Sequence, residues 1–88
     1  MHIIKKGIKE QTKQVIKNIE AILKESGCTL SDVVRTTVYL SDIKYFDEMN
    51  LVYKEMFSKP FPARTTMGVQ LRGIDVEIDA IAIKPKTL

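Results

Sequence analysis

Apolar side chains recur at Val15, Ile16, Ile19, Ile22 and Leu23, falling on one stripe of a 3.6-residue period. The pattern predicts a helix over 10–25. Gly27 follows at the position where a left-handed residue closes such a helix. Gly7 interrupts the pattern upstream, so residues 1–9 read as a short strand or an arm. The period then changes. Over 34–40, β-branched and aromatic residues dominate and the spacing drops to two. Val34, Thr36, Val38 and Leu40 are expected on one face of this strand, with Arg35, Thr37 and Tyr39 on the other.

Ser41-Asp42 ends that strand and offers a capping oxygen to a second helix, predicted over 44–57. Phe46, Met49, Tyr53, Met56 and Phe57 form its stripe, which reads as core. Pro60 and Pro62 bracket a loop, because proline cannot continue a helix interior. Two strands follow, over 64–71 and 76–84, with Arg72-Gly73 turning between them. The first alternates Thr65, Met67, Val69 and Leu71 against Arg64, Thr66, Gly68 and Gln70. The second begins in alternation and becomes apolar on both faces, the pattern of a central strand covered on both sides.

Helix, strand, helix, strand, strand is the order of an α+β domain: a two-layer mixed sheet with two helices on one face. The whole chain, 1–88, reads as one such domain. Nothing else in it is long enough to cover the opposite face. A second copy of the chain is the economical cover, which predicts a homo-oligomer.

Composition narrows the function classes. The chain has 88 residues, 44% hydrophobic and 28% charged, which suits a globular domain and excludes collagen-like or low-complexity architecture. No apolar run approaches the roughly 18–20 residues that span a bilayer, and the N-terminus lacks the features of a secretory leader. A lone Cys28 leaves no internal disulfide and suits a reducing, cytoplasmic setting. The net charge of +3 comes from interspersed residues with lysines gathered weakly at the two ends. Without a basic stripe interleaved with stacking aromatics, nucleic acid is a disfavoured partner.

The candidate chemistry is equally restricted. With one His and one Cys, the chain offers no zinc ligand set, and no phosphate loop or dinucleotide fingerprint is present. Neither metal nor cofactor is expected. What remains is Arg64, directly after Phe61-Pro62-Ala63 and stiffened by the prolines. So held, a guanidinium can present a planar fork to a carboxylate. A solvated side chain or an inter-subunit salt bridge is the alternative. Glu77 is the second candidate, flanked by Val76 and Ile78. Partial removal from water would raise its proton affinity and let it exchange a proton with a bound water. It could equally line a solvated strand face with Asp79.

These segments carry a family resemblance. Asn18-Ile19 through Gly27, the run Asp32-Val33-Val34-Arg35-Thr36-Thr37-Val38-Tyr39-Leu40, and Phe46 through Phe57 with Met49, Asn50 and Tyr53 resemble the Rid (YjgF) proteins. So do Pro62-Ala63-Arg64-Thr65-Thr66 and Val76-Glu77-Ile78-Asp79-Ala80-Ile81-Ala82, and together the match covers about residues 11–84. The resemblance implies a chorismate-mutase-like fold, a homotrimer with pockets between subunits, and cofactor-free hydrolysis of 2-imino and enamino acids, such as 2-aminoacrylate, to 2-oxo acids and ammonia. It implies Arg64 as the grip on the substrate carboxylate and Glu77 as the group that orients or activates water. Thr66, two residues beyond the arginine, would line the pocket in place of the cysteine common there.

Departures from the family pattern are also visible. Its members carry an additional N-terminal strand hairpin that supplies pocket groups, and this chain begins near the end of that region. Asp75 stands where an apolar residue is usual, and the turn at Arg72-Gly73 is shorter. A one-residue slip there would carry Glu77 to the opposite face. The alternatives are a catalytically incomplete trimer that binds small carboxylates, the endoribonuclease or translation-inhibitor role long attached to the family, and a truncated chain.

Overall fold

In the computed structural model, which describes residues 7–85, helix α1 (Ile8–Glu25) and helix α2 (Phe46–Met56) lie on one face of a three-stranded sheet. The strands are β1 (Val33–Leu40), β2 (Ala63–Gly68) and β3 (Val76–Ala82), ordered β2-β1-β3. β1 and β2 are parallel, joined through α2, and β3 runs antiparallel to β1. Of the strand or arm expected at 1–9, residues 1–6 lie outside the described residues, while Ile8 and Lys9 belong to α1 instead.

α1 begins at Ile8, earlier than the periodicity suggests. Ile8 and Thr12 extend the buried stripe by one turn, and Gly7, in extended backbone, serves as its N-cap. Ile22 is the exception in the stripe at 67% exposed, so the core face runs through Val15, Ile16, Ile19 and Leu23 instead. At the other end Cys28 N donates to Leu23 O and Gly27 N to Lys24 O, the paired bonds that cap a helix through a left-handed residue. Gly27 supplies it, with φ +79°. Asp42 Oδ1 accepts from Lys44 N, so the anticipated cap opens a 3-10 turn (Ile43–Tyr45) that leads into α2.

β1 departs from simple alternation. Its register against β3 shifts between Val33 and Arg35, the mark of a β-bulge. Val33 is therefore buried while Val34 is 44% exposed, the reverse of the predicted faces at this end. Beyond the bulge Thr36, Val38 and Leu40 point into the helices as expected. β3 is a second correction. Among the described residues it is an edge strand, and β1 is central. The two-sided apolar character of β3 reflects face coverage, not position in the sheet. Val76 and Ile78 pack under the helices, whereas Ile81 and Ile83 stand exposed on the uncovered face.

The core joins Ile8 and Ile16 of α1, Met49, Tyr53 and Phe57 of the α2 region, and Val33, Val38, Leu40, Val76 and Ile78 of the sheet. A buried carboxylate needs hydrogen bonds to offset its lost hydration, and Asp75 has them. Ser41 Oγ donates to it at 2.7 Å and Gln11 Nε2 at 3.1 Å, while its own N–H donates to Gln11 Oε1. The cluster fastens the start of β3 to the end of β1 and the first turn of α1. That is the local reason a charged residue is accommodated at this position.

A Cβ at Gly27 would meet only Lys84 Cε at 3.8 Å, an ordinary contact, so the strain of a substitution there is conformational. Gly27→Ala is expected to cost about 1 kcal/mol. Thermal unfolding should show it as a midpoint lowered by roughly 4–8 °C.

Candidate functional site

Arg64 is the second residue of β2, paired in register with Thr36 of β1, and its side chain lies on the helix-covered side. α2 meets it there. Asn50, Tyr53 and Lys54 fall three and four residues apart, so one helix face presents all of them to the same cavity. The guanidinium carbon sits 4.6 Å from the Tyr53 ring centroid and 5.2 Å from that of Phe46. Nη1 donates to Asn50 Oδ1 at 2.6 Å. Two aromatic faces and one amide oxygen thus hold a cation that has no carboxylate partner among the described residues.

Arg64 opens onto a cavity of about 320 Å³ walled by Asn50, Tyr53, Lys54, Phe61 and Pro62. The proline-stiffened loop expected from the sequence forms one side of it. The wall is amphipathic: two cations, an amide, and apolar ring and proline surface, with no acidic side chain. That composition suits a small organic anion.

The other sequence-derived candidates lie apart from this cavity. Thr66 shares the Arg64 face two residues on, paired with Val38, but does not line the cavity. Its Oγ1 is buried and makes no hydrogen bond among the described residues. Glu77 is exposed, opposite Tyr39 on β3. Tyr39 and Thr36 occupy opposite faces of β1, so Arg64 and Glu77 are on opposite faces of the sheet with β1 between them. Within one chain they do not flank a common point.

Asn50, Phe46 and Tyr53 belong to the Arg64 site although periodicity reads their stretch as core. Asn50 was the detectable signal: an amide one turn after Phe46, on the side of the helix that carries the aromatic stripe. Among the described residues no cluster of His, Cys, Asp and Glu could hold a metal ion, and no helix is long and apolar enough to cross a membrane.

The uncovered face carries its own polar pairs. Arg35 Nη2 donates to Thr65 Oγ1 across β1 and β2, and Tyr39 donates its phenol proton to Asp79 Oδ2 at 3.1 Å.

Comparison with known proteins places these features. The sequence model of the family described as Endoribonuclease L-PSP matches residues 1–84. A RutC family protein of Pyrococcus abyssi is 52% identical over 84 residues, which are 93% of this chain and 66% of that protein. The 2-iminobutanoate/2-iminopropanoate deaminase of Homo sapiens is 42% identical over 84 residues, 93% of this chain and 61% of its own length. The chain thus spans somewhat under two thirds of these curated relatives. Among solved structures, RidA from a Psychrobacter species superposes with TM-score 0.84 at 38% identity, covering 91% of this chain and 67% of that one. A YjgF family member from Neisseria meningitidis gives TM-score 0.87 at 30% identity, covering 91% and 70%. The two-layer α+β arrangement expected from the pattern is the fold these structures share.

The bond to Asp79 raises the Tyr39 phenol above its ordinary 10.0, with partial shielding from water and the charges of Asp79 and Glu77 adding to it. The folded state holds this proton more tightly than the unfolded one. Its contribution is therefore complete below pH 10.0 and is lost as pH rises through the folded value. An ultraviolet alkaline titration of Asp79→Asn should move the Tyr39 transition down toward the ordinary value.

Proposed function

We propose, for a chain that belongs to the endoribonuclease L-PSP family, the hydrolysis of small 2-imino acids and their enamine tautomers to 2-oxo acids and ammonia. The observation that carries this reading is Arg64, held between two rings and an amide at the wall of a cavity without acidic residues. The names of relatives in man, cattle, goat and mouse, 2-iminobutanoate/2-iminopropanoate deaminases at 42–45% identity, support the substrate class.

The chemistry asks little of the protein. A protonated imine carbon is already electrophilic, so fixing the substrate by its carboxylate and placing a water against that carbon supplies most of the advantage. Arg64 binds the carboxylate through its free N–H groups. Water adds to the C=N carbon, a carboxylate takes one of its protons, and the resulting carbinolamine expels ammonia as the C=O forms. Glu77 is the proton acceptor in this reading. Because it shares no face with Arg64, the glutamate that meets an Arg64-bound substrate is that of a neighbouring copy. The proposed assembly is a homotrimer with its clefts between subunits, supported by the exposed apolar side chains Met67, Ile81 and Ile83 on the open sheet face. A reducing, cytoplasmic setting accords with Cys28 as a buried free thiol. No metal or organic cofactor enters the scheme.

The separation of Arg64 from Glu77 favours one further reading: a carboxylate-binding member that does not turn over. An assay in which an amino-acid oxidase generates the imine distinguishes them. Purified protein should shorten the imine's lifetime, and Arg64→Ala should lower kcat/KM by about 100-fold, the loss of a charge-assisted fork. Arg64→Lys, which keeps the charge without the fork, should fall between. Binding without turnover by the wild type supports the second reading, and an Arg64→Ala variant as fast as wild type overturns the anchor.

A further inference from the structure

Of the three restraints on the Arg64 guanidinium, two come from half-buried residues, Asn50 and Phe46. The third is different. Tyr53 is only 2% exposed, and its ring is the nearer of the two. The ring packs against Phe57 one helical turn on, with centroids 4.6 Å apart. Its hydroxyl forms a buried hydrogen bond of 2.7 Å with Thr36 Oγ1, and Thr36 is 1% exposed. Thr36 is also the register partner of Arg64 on the adjacent parallel strand. The strand pair that places Arg64 therefore places the hydroxyl that fixes the ring beneath it.

We infer that the Thr36–Tyr53 hydrogen bond is a positioning element of the site, setting the plane of the Arg64 guanidinium for capture of the substrate carboxylate. The inference rests on the carboxylate-anchor reading of Arg64. Capture through two parallel N–H bonds depends on the orientation of a rigid plane, whereas attraction to a point charge does not. A ring tethered at its hydroxyl and packed against Phe57 has little freedom to tilt. The cation lying over the ring inherits that restraint. Neither residue touches the reacting atoms through this bond. Its effect passes through Arg64.

Stability and positioning respond differently to substitution, and this gives the test. Tyr53→Phe keeps the ring but strands the Thr36 hydroxyl in the core. Thr36→Val keeps the shape but strands the Tyr53 hydroxyl. Each single variant should therefore unfold at a lower temperature, and the double variant should recover much of the loss because neither polar group is left unpaired. A merely structural bond predicts that ligand affinity recovers as well. A positioning bond predicts that it does not.

The measurement is calorimetric binding of 2-oxobutanoate to the full chain, together with KM and kcat for the imine. All three variants should weaken binding by about three- to tenfold, with the double no worse than either single, since one bond is lost in each. The change should appear mainly in KM. Wild-type affinity in Thr36→Val/Tyr53→Phe, with Arg64→Ala still defective, overturns this inference alone. Equal affinity in wild type and Arg64→Ala overturns the anchor reading and this inference with it.

Discussion

The described residues cover the sheet on one face only, and strand alternation assigns every candidate group to the covered side or the open one. The bulge between Val33 and Arg35 sets this division. Uninterrupted alternation from the buried Val33 would turn Arg35, Thr37 and Tyr39 under the helices and put Thr36, Val38 and Leu40 outside. The extra residue restores the apolar set to the core and leaves Arg35 and Tyr39 to pair with Thr65 and Asp79 on the open face. It also decides that Thr36 faces α2, where its hydroxyl reaches Tyr53.

On the covered side, the neutrality of the groups around Arg64 matters as much as their positions. A carboxylate at position 50 would neutralise the guanidinium and satisfy part of its fork. An amide oxygen accepts one N–H bond and leaves the formal charge uncompensated. The ring faces of Tyr53 and Phe46 attract the cation without occupying its donors in the guanidinium plane. Orientation and availability are therefore achieved together, which a salt bridge would not permit.

Much of the fold was legible because each element has a clear period and most have one marked end: Gly27 after α1, Asp42 before the turn that leads into α2, the prolines before β2. The failures have physical causes. Val33 and Val34 are adjacent and chemically identical, so only the ladder reveals which of them is turned inward. The edge position of β3 in the described sheet depends on pairing order, which hydropathy does not encode. Within the site, Arg64 was legible from its stiff loop, but its aromatic cage was not. Phe46 and Tyr53 do pack against the core, and a pattern that correctly reads them as core side chains is silent about the cation lying on their outer surface. Glu77 illustrates the opposite limit. Its residue type and strand were visible, while its face relative to Arg64 depends on the register of both outer strands against β1.

That register also constrains the proposed assembly. Arg64 is carried by one edge strand of the described sheet and Glu77 by the other. A contact that brings the two together therefore joins unlike surfaces of neighbouring copies, the helix-covered side at β2 of one to the open face at β3 of the next. Repeated contacts between unlike surfaces close into rings when the rotation permits and otherwise run on as open filaments. In a closed ring of three, each copy donates one arginine cavity to one neighbour and one glutamate to the other, so the number of complete sites equals the number of copies. The open face, with Ile81 and Ile83 beside the acidic Glu77 and Asp79, then has two tasks. In the proposed ring its apolar end would supply buried area between copies, and its carboxylates would face the uncompensated charge of Arg64.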